Sequence, residues 1–232
     1  MTPKFKLKKE KLMLESFKTV YEGGIGEISE KKSRFIATLI PVESEVTAIE
    51  FIEQIKKKYK DATHNCYAYV IGQQDEIQRC SDDGEPAKTA GWPMLDVLLK
   101  EGLHNTAVVV TRYFGGTLLG TGGLVHAYQA AVKEGLKNCI IIEKKLGNKL
   151  SITTDYNGIG KLQYFAAQME LTTVDTKYTD QVLITLLVPS QKVGECVKKV
   201  TEVTNGKAII ENTGTVYYAD VAGNIMLFET GE

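Results

Sequence analysis

Along the first half of the chain the spacing of apolar positions changes several times. Residues 33–40 end in an apolar run before Pro41, which reads as a strand. Behind Ser44, a good helix N-cap, Val46, Ile49, Ile52 and Ile55 recur at helical spacing and predict an amphipathic helix with those residues inward. Residues 66–71 read as a strand stopped by Gly72. Residues 76–80 would be its hairpin partner, followed by the turn Ser81-Asp82-Asp83-Gly84. Pro93 suits the first turn of a short helix whose inner face carries Met94, Leu95, Leu98 and Leu99. Residues 106–111 form the most buried-looking strand. They run into a glycine-rich stretch, 115–123, and then into a helix burying Leu124, Tyr128, Ala131 and Val132.

The second half has a different rhythm. Residues 149–154 alternate like a strand, 159–169 read as a helix, and 171–178 and 181–188 as two strands around Thr179-Asp180. Ser190 is placed to cap a helix with Val193, Val197 and Val200 inward, Asn205-Gly206 stops it, and residues 208–210 open a last strand. The order strand-helix-strand-strand-helix-strand is that of a ferredoxin-like domain: a four-stranded antiparallel sheet with both helices on one face. The reading is an α+β chain of two domains, 15–138 and 143–220.

The composition of the 232 residues, 43% hydrophobic and 25% charged, is that of a folded globular chain. No apolar run approaches the ~20 residues that span a bilayer, and no apolar segment follows the N-terminal lysines, so neither a membrane partner nor a signal peptide is expected. Cys66, Cys80, Cys139 and Cys196 are scattered without a Cys-x-x-Cys pair, which fits reduced thiols in the cytoplasm and provides no zinc motif. The net charge of −1 gives no global field for nucleic acid. Basic character is local: Lys4, Lys6, Lys8, Lys9 and Lys11 near the start, and Lys56, Lys57, Lys58 and Lys60 at a helix end, where they suit the helix dipole.

The glycine stretch is the most specific physical signal. Gly115, Gly116, Gly120, Gly122 and Gly123 lie between a buried strand and a helix start, where bare N–H groups and the helix dipole suit a phosphate or carboxylate. Arg112, at the strand end, is a candidate fork donor, and its removal should then weaken binding without harming the fold. Neither the Walker A nor the Rossmann spacing is present, and the same glycines could serve only a tight turn and close packing. His64 and Cys66 share a strand face but lie about 6.6 Å apart along it, too far for direct proton transfer. Asp82, Asp83 and Glu85 match no calcium loop; they read as an ordinary turn, with polar recognition as the competing role. His126 sits in the first turn of the helix behind the glycines, facing away from its apolar stripe.

In order, the stretches His64-Asn65-Cys66-Tyr67-Ala68-Tyr69, Ser81-Asp82-Asp83-Gly84-Glu85-Pro86, Thr89-Ala90-Gly91, Thr111-Arg112-Tyr113-Phe114-Gly115-Gly116 and Leu119-Gly120 through Gly122-Gly123-Leu124 resemble the YigZ/IMPACT family. The N-terminal domain carries the match, and the C-terminal one resembles the small domain that ends bacterial members. The extra N-terminal domain of eukaryotic members, which serves an initiation-factor kinase pathway, has no counterpart in these motifs. The resemblance implies that residues 15–138 fold like the second domain of a small-subunit ribosomal protein and residues 143–220 like the last domain of elongation factor G. Lys88 stands where the family usually has glycine, and His126 where it usually has arginine. Together these features imply a non-catalytic, cofactor-free, translation-linked protein that contacts RNA, a ribosomal particle or a protein partner through Arg112, Lys88, His126 and the glycine loop. His64, Asp82, Asp83 and Glu85 would be polar recognition residues. The alternatives are an enzyme acting on a small phosphorylated or carboxylated ligand at the loop, and a protein adaptor using the open sheet face of the C-terminal domain.

Overall fold

The computed structural model describes residues 13–230, and the lysine run at positions 4–11 lies outside them. In chain order the elements are β1 (Ser16–Glu22), β2 (Gly24–Glu30), β3 (Ser33–Pro41), α1 (Glu45–Lys58), β4 (His64–Ile71), β5 (Ile77–Ser81), α2 (Gly91–Lys100), β6 (Leu103–His104), β7 (Thr106–Tyr113) and α3 (Gly120–Lys137). There follow β8 (Ile140–Thr154), α4 (Ile159–Gln168), β9 (Thr172–Tyr178), β10 (Val182–Pro189), α5 (Val193–Val203), β11 (Ile209–Val221) and β12 (Asn224–Glu229). The fold is α+β, and no described helix is long and apolar enough to cross a membrane.

The first sheet is antiparallel, in the order β2-β3-β7-β4-β5. Strand side chains alternate between faces. Ala107, Val109, Tyr69 and Ile71 therefore meet α1, while Val108, Val110, Ala68 and Val70 meet α2 and α3. Burial on both faces explains why β7 is apolar without alternation: every residue from Thr106 to Arg112 is buried.

Helix α1 begins at the expected place, with Ser44 and Thr47 forming a reciprocal capping box. Its face differs from expectation. Ala48, Phe51, Ile52 and Ile55 are buried, whereas Val46 and Ile49 are exposed. The helix has apolar residues on two sides, and the stripe carrying Phe51 packs against Tyr69 and Val109. Helix α2 starts at Gly91 and buries Met94, Leu95 and Leu98 as anticipated.

The other sheet is organised by β8, a strand of 15 residues. Its first part pairs with β1, from Ile140 to Lys145, and its later part lies between β10 and β11. The order β11-β8-β10-β9 is the ferredoxin-like one, and α4 and α5 cover one face around Leu150, Ile152, Phe165, Ile184, Leu186 and Val200. Ser190 does not cap α5. It lies in a short 3-10 turn before the helix, and its hydroxyl accepts a 2.8 Å hydrogen bond from Asn148. Asn205 and Gly206 end α5 as expected, in left-handed conformation, with the Gly206 N–H bonded to the Thr201 carbonyl. Strands β1, β2, β6 and β12 are not evident in the apolar pattern. Of these β1 is the most consequential, because it hydrogen-bonds to β8 while burying Val20 in the core of the first sheet.

Candidate functional site

Six elements begin or end at one end of the first sheet. There β3 begins, β7 ends, β4 begins and β5 ends, as fixed by the pairings Arg34 with Tyr113, His64 with Arg112 and Tyr67 with Ser81. Helix α1 also ends near this edge, where the Thr63 N–H bonds to the Arg112 carbonyl, and α3 begins there. The topology thus collects the His64 stretch, the Ser81–Pro86 turn and the glycine loop, which are far apart in sequence.

The acidic turn is mostly occupied in holding the architecture. The Asp82 carboxylate accepts from the backbone N–H groups of Lys88, Ala90 and Gly91 at 2.8–3.0 Å. It thereby caps α2, whose own N-cap residue, Ala90, has no side chain to do so. Asp83 accepts from the Asn65 N–H at 2.7 Å and lies 3.5 Å from the Lys56 ammonium. Glu85 is buried: its Oε1 takes Arg112 Nη1 at 2.5 Å and the Tyr128 hydroxyl at 2.8 Å.

Arg112 is therefore no surface donor. Its guanidinium is buried, stacks between Phe35 and Phe114 at 5.3 and 5.6 Å, and reaches Ser33 Oγ at 3.4 Å through Nη2. Its Nε has no hydrogen-bond partner. Cys66 lies beside Tyr128, 3.3 Å away, and burial pushes its thiol far above the usual range. Such a thiol is a poor nucleophile. His64 bonds through Nδ1 to the Asp83 carbonyl at 2.8 Å, and its Nε2 stands 3.9 Å from Glu85 Oε2.

The glycines divide by role. At Gly115 a Cβ would overlap the Lys32 carbonyl carbon and the Ser33 nitrogen, so this position exists for close backbone approach. Gly116 and Gly120 have φ of +83° and +74°. Gly122 would meet nothing, and Gly123 would touch only the Leu119 side chain. Gly120, Gly122 and Gly123 all fall in the first turn of α3.

Between the loop and the acidic turn lies a cavity of about 440 Å³, with Phe114, Leu118, Leu119 and Leu124 among its walls and His64, Glu85 and Arg112 on its polar side. Gly120 lines it; Lys88 and His126 do not, and both are exposed; because α3 already starts at Gly120, His126 lies in its second turn, not in the first as expected. Lys88 has left-handed backbone, φ +63°, a conformation that glycine takes more easily. Asp82 and Asp83 do not line the cavity either. Among the described residues no three His, Cys, Asp or Glu side chains converge as a metal site.

Sequence reasoning misses the partners that make the site. It places Tyr128 in the core with no polar role, and it assigns nothing to Ser33, Phe114 or Leu118. It also names Lys57, Lys60 and Lys88 separately without joining them to Lys31 and Lys32 in the β2–β3 turn, which it does not mention; all five are exposed at this end of the first sheet. None of the five has an ion-pair partner among the described residues. Of the acids at this end, Asp61 accepts from Tyr113, Asp82, Asp83 and Glu85 are engaged as described, and Glu30 is exposed.

Residues 31–136 match the model of the Impact N-terminal domain, and residues 152–207 match a domain of unknown function, DUF1949. The chain is 44% identical over 212 residues to the IMPACT family member YvyE of Bacillus subtilis, covering 91% of this chain and 97% of that protein. It is 36% identical over 178 residues to the IMPACT family member YigZ of Escherichia coli, covering 76% and 87% respectively. A solved structure titled as that of a hypothetical protein superposes with a TM-score of 0.56 at 31% identity, covering 87% of this chain and 99% of its own. With its cavity framed by the very stretches that carry the resemblance, and with relatives matching it along nearly their whole length, the chain belongs to the IMPACT family.

Proposed function

We propose that this chain is a non-catalytic, translation-linked binding protein that engages RNA or a ribosomal particle through the lysine-rimmed end of the first sheet. The observation that carries the reading is the rim itself. Five exposed lysines come from three separate segments that end at one edge of the first sheet, in a chain whose net charge is −1, and the Lys32 backbone packs against Gly115 of the glycine loop. Lysines act on phosphates as point charges, and their convergence gives the local field that overall composition lacks. Within this reading the anion contacts belong to Lys88 and its neighbours and to the glycine loop's exposed N–H groups. Arg112 supports the loop from beneath, since its charge is already met by Glu85.

Catalysis fits the same geometry less well. The buried Cys66 thiol is held protonated, Asp82 spends both oxygens on backbone N–H groups, and Asp83 is shared between the Asn65 N–H and the Lys56 ammonium. A small-ligand enzyme has one observation in its favour, the partly open cavity, whose volume suits a ligand of modest size. The adaptor reading draws little support from the open face of the sheet around β8. One row is mixed, with exposed Ile209 and half-buried Leu183 flanking Thr153 and Lys177 beyond, but the next, Glu211, Ser151, Thr185 and Asp175, is wholly polar, so no continuous apolar patch forms across them.

Titration of labelled single-stranded RNA and of purified ribosomal subunits across a salt series tests the proposal. If all five lysines met phosphates, log K would fall with log salt at a slope of about −3.5, and fewer contacts would give a shallower line. Absence of binding to RNA and to both subunits at low salt overturns it.

A further inference from the structure

We infer that the cavity beside the glycine loop is a nucleobase pocket, taking one unstacked base that bears an exocyclic amino group. For a base delivered by RNA the inference rests on the reading above; a free nucleotide presents the same chemistry without it.

The polar side of the cavity contains acceptors with no donor between them. Glu85 Oε1 already receives two hydrogen bonds, from Arg112 and Tyr128, whereas Oε2 receives none among the described residues. The Glu85 side chain is only 3% exposed, so water compensates this oxygen poorly. His64 Nε2 stands 3.9 Å from it. That nitrogen is an acceptor in the neutral ring, because His64 Nδ1 bonds to the Asp83 carbonyl, an oxygen that only accepts. Two acceptors at this separation lie within reach of one amino group placed between them. Arg112 also lines the cavity; its Nε–H is buried and has no hydrogen-bond partner among the described residues, so the accessible acceptor there is Glu85 Oε2. A buried polar group left unmatched in this way is costly, and a ligand that matches it recovers that cost.

The rest of the wall is apolar and partly open. Phe114 is 46% exposed and Leu118 is 82% exposed, and with Leu119 and Leu124 they offer a surface for a flat ring. Large apolar side chains held in the open beside a polar floor mark a binding surface. The lysine rim selects among flat, amino-bearing ligands by favouring one with a phosphate attached. Adenine, cytosine and guanine carry the exocyclic amine; uracil does not.

Fluorescence anisotropy with end-labelled single-stranded RNAs of one length, A-rich, C-rich, U-rich and largely abasic, tests the inference alongside titration with AMP, CMP and UMP. Removal of bases should weaken binding on the order of tenfold, the scale of lost base stacking. A-rich and C-rich strands should bind several-fold more tightly than U-rich ones. Glu85→Gln bears on the acceptor directly but risks the fold, so Thr121→Trp is the companion variant. Thr121 is exposed at the start of α3 and lines the cavity, so a neutral ring there should abolish the base-dependent part and leave the salt slope of the rim unchanged. Equal binding of abasic and base-bearing RNA overturns the pocket while leaving the rim reading intact. Binding of AMP or CMP that Thr121→Trp abolishes, with no binding of RNA, supports the pocket as a free-nucleotide site and overturns its use for a base delivered by RNA. Equal affinity for U-rich and A-rich strands overturns the amino-group assignment, and no binding of any of these probes overturns the pocket, while the rim reading falls only if the ribosomal subunits fail to bind as well.

Discussion

Replacing Arg112 by methionine, of similar length but uncharged, isolates the buried ion pair. Both side chains are nearly inaccessible, 6% and 3% exposed, and their closest atoms are 2.5 Å apart. Arg112→Met leaves the Glu85 carboxylate buried with one remaining donor, the Tyr128 hydroxyl. Removing one partner of such a pair costs about 3–5 kcal/mol, because the other charge stays buried and uncompensated. Loss of the guanidinium between Phe35 and Phe114 adds about 0.5–1 kcal/mol. In a domain of this size the melting temperature of the first-sheet unit should fall by roughly 10 °C or more. The sequence expectation that the fold tolerates loss of Arg112 treats the residue as a surface donor, and burial reverses it. Adding Glu85→Gln removes the stranded charge and keeps an acceptor for Tyr128, so the double variant should recover most of the loss. Thermal melts of wild type, both single variants and the double variant give the coupling energy. An Arg112→Met protein that melts within a degree of wild type, or a double variant no more stable than the single, refutes the reasoning.

Gly115→Ala should destabilise the protein, since its Cβ meets the Lys32 and Ser33 backbone, while Gly122→Ala should stabilise it by up to about 1 kcal/mol in an open first helical turn; urea melts compare the two. Asp82→Ala strips three backbone N–H groups of their acceptor and should cost about 1–3 kcal/mol, read as a lower denaturation midpoint. Burial raises the thiols of Cys66 and Cys196, the latter to about 11, so at pH 8 both remain protonated and should resist alkylation until the protein unfolds, as mass spectrometry of pulse-alkylated samples can check.

Local chemistry is legible where one rule governs the outcome. The Ser44 cap, the stop at Asn205-Gly206 and the uninterrupted apolar strand β7 each follow from near neighbours. The βαββαβ order of the C-terminal half is readable for the same reason. The face of α1 is not, because apolar residues lie on two sides of that helix and only the sheet decides which is buried. Strands β1 and β12 take their meaning from β8 and β11, partners that periodicity does not reveal. At the site, the motifs mark the stretches that frame the cavity, but the exposed fork donor expected at Arg112 is a buried side chain paired with Glu85. Arg112 and Glu85 are 27 residues apart, and nothing local tells an arginine that reaches outward from one that turns in to meet a carboxylate.

The course of β8 bears on how the protein can be divided. Two-domain chains usually part at an exposed linker, where a protease nicks first and where fragments are cut for separate expression. Here the peptide bonds in that position are rungs of a ladder, paired with β1 on one stretch and with β10 and β11 on the next. A protease offered the native molecule should cut elsewhere. A fragment ending before Ile140 would leave β1 with its long hydrogen-bonding edge unmatched, and one beginning there would expose the same edge from the other side. Such bare edges pair with whatever strand they meet, so each half made alone should tend to self-associate, and mixing the two should restore a soluble complex.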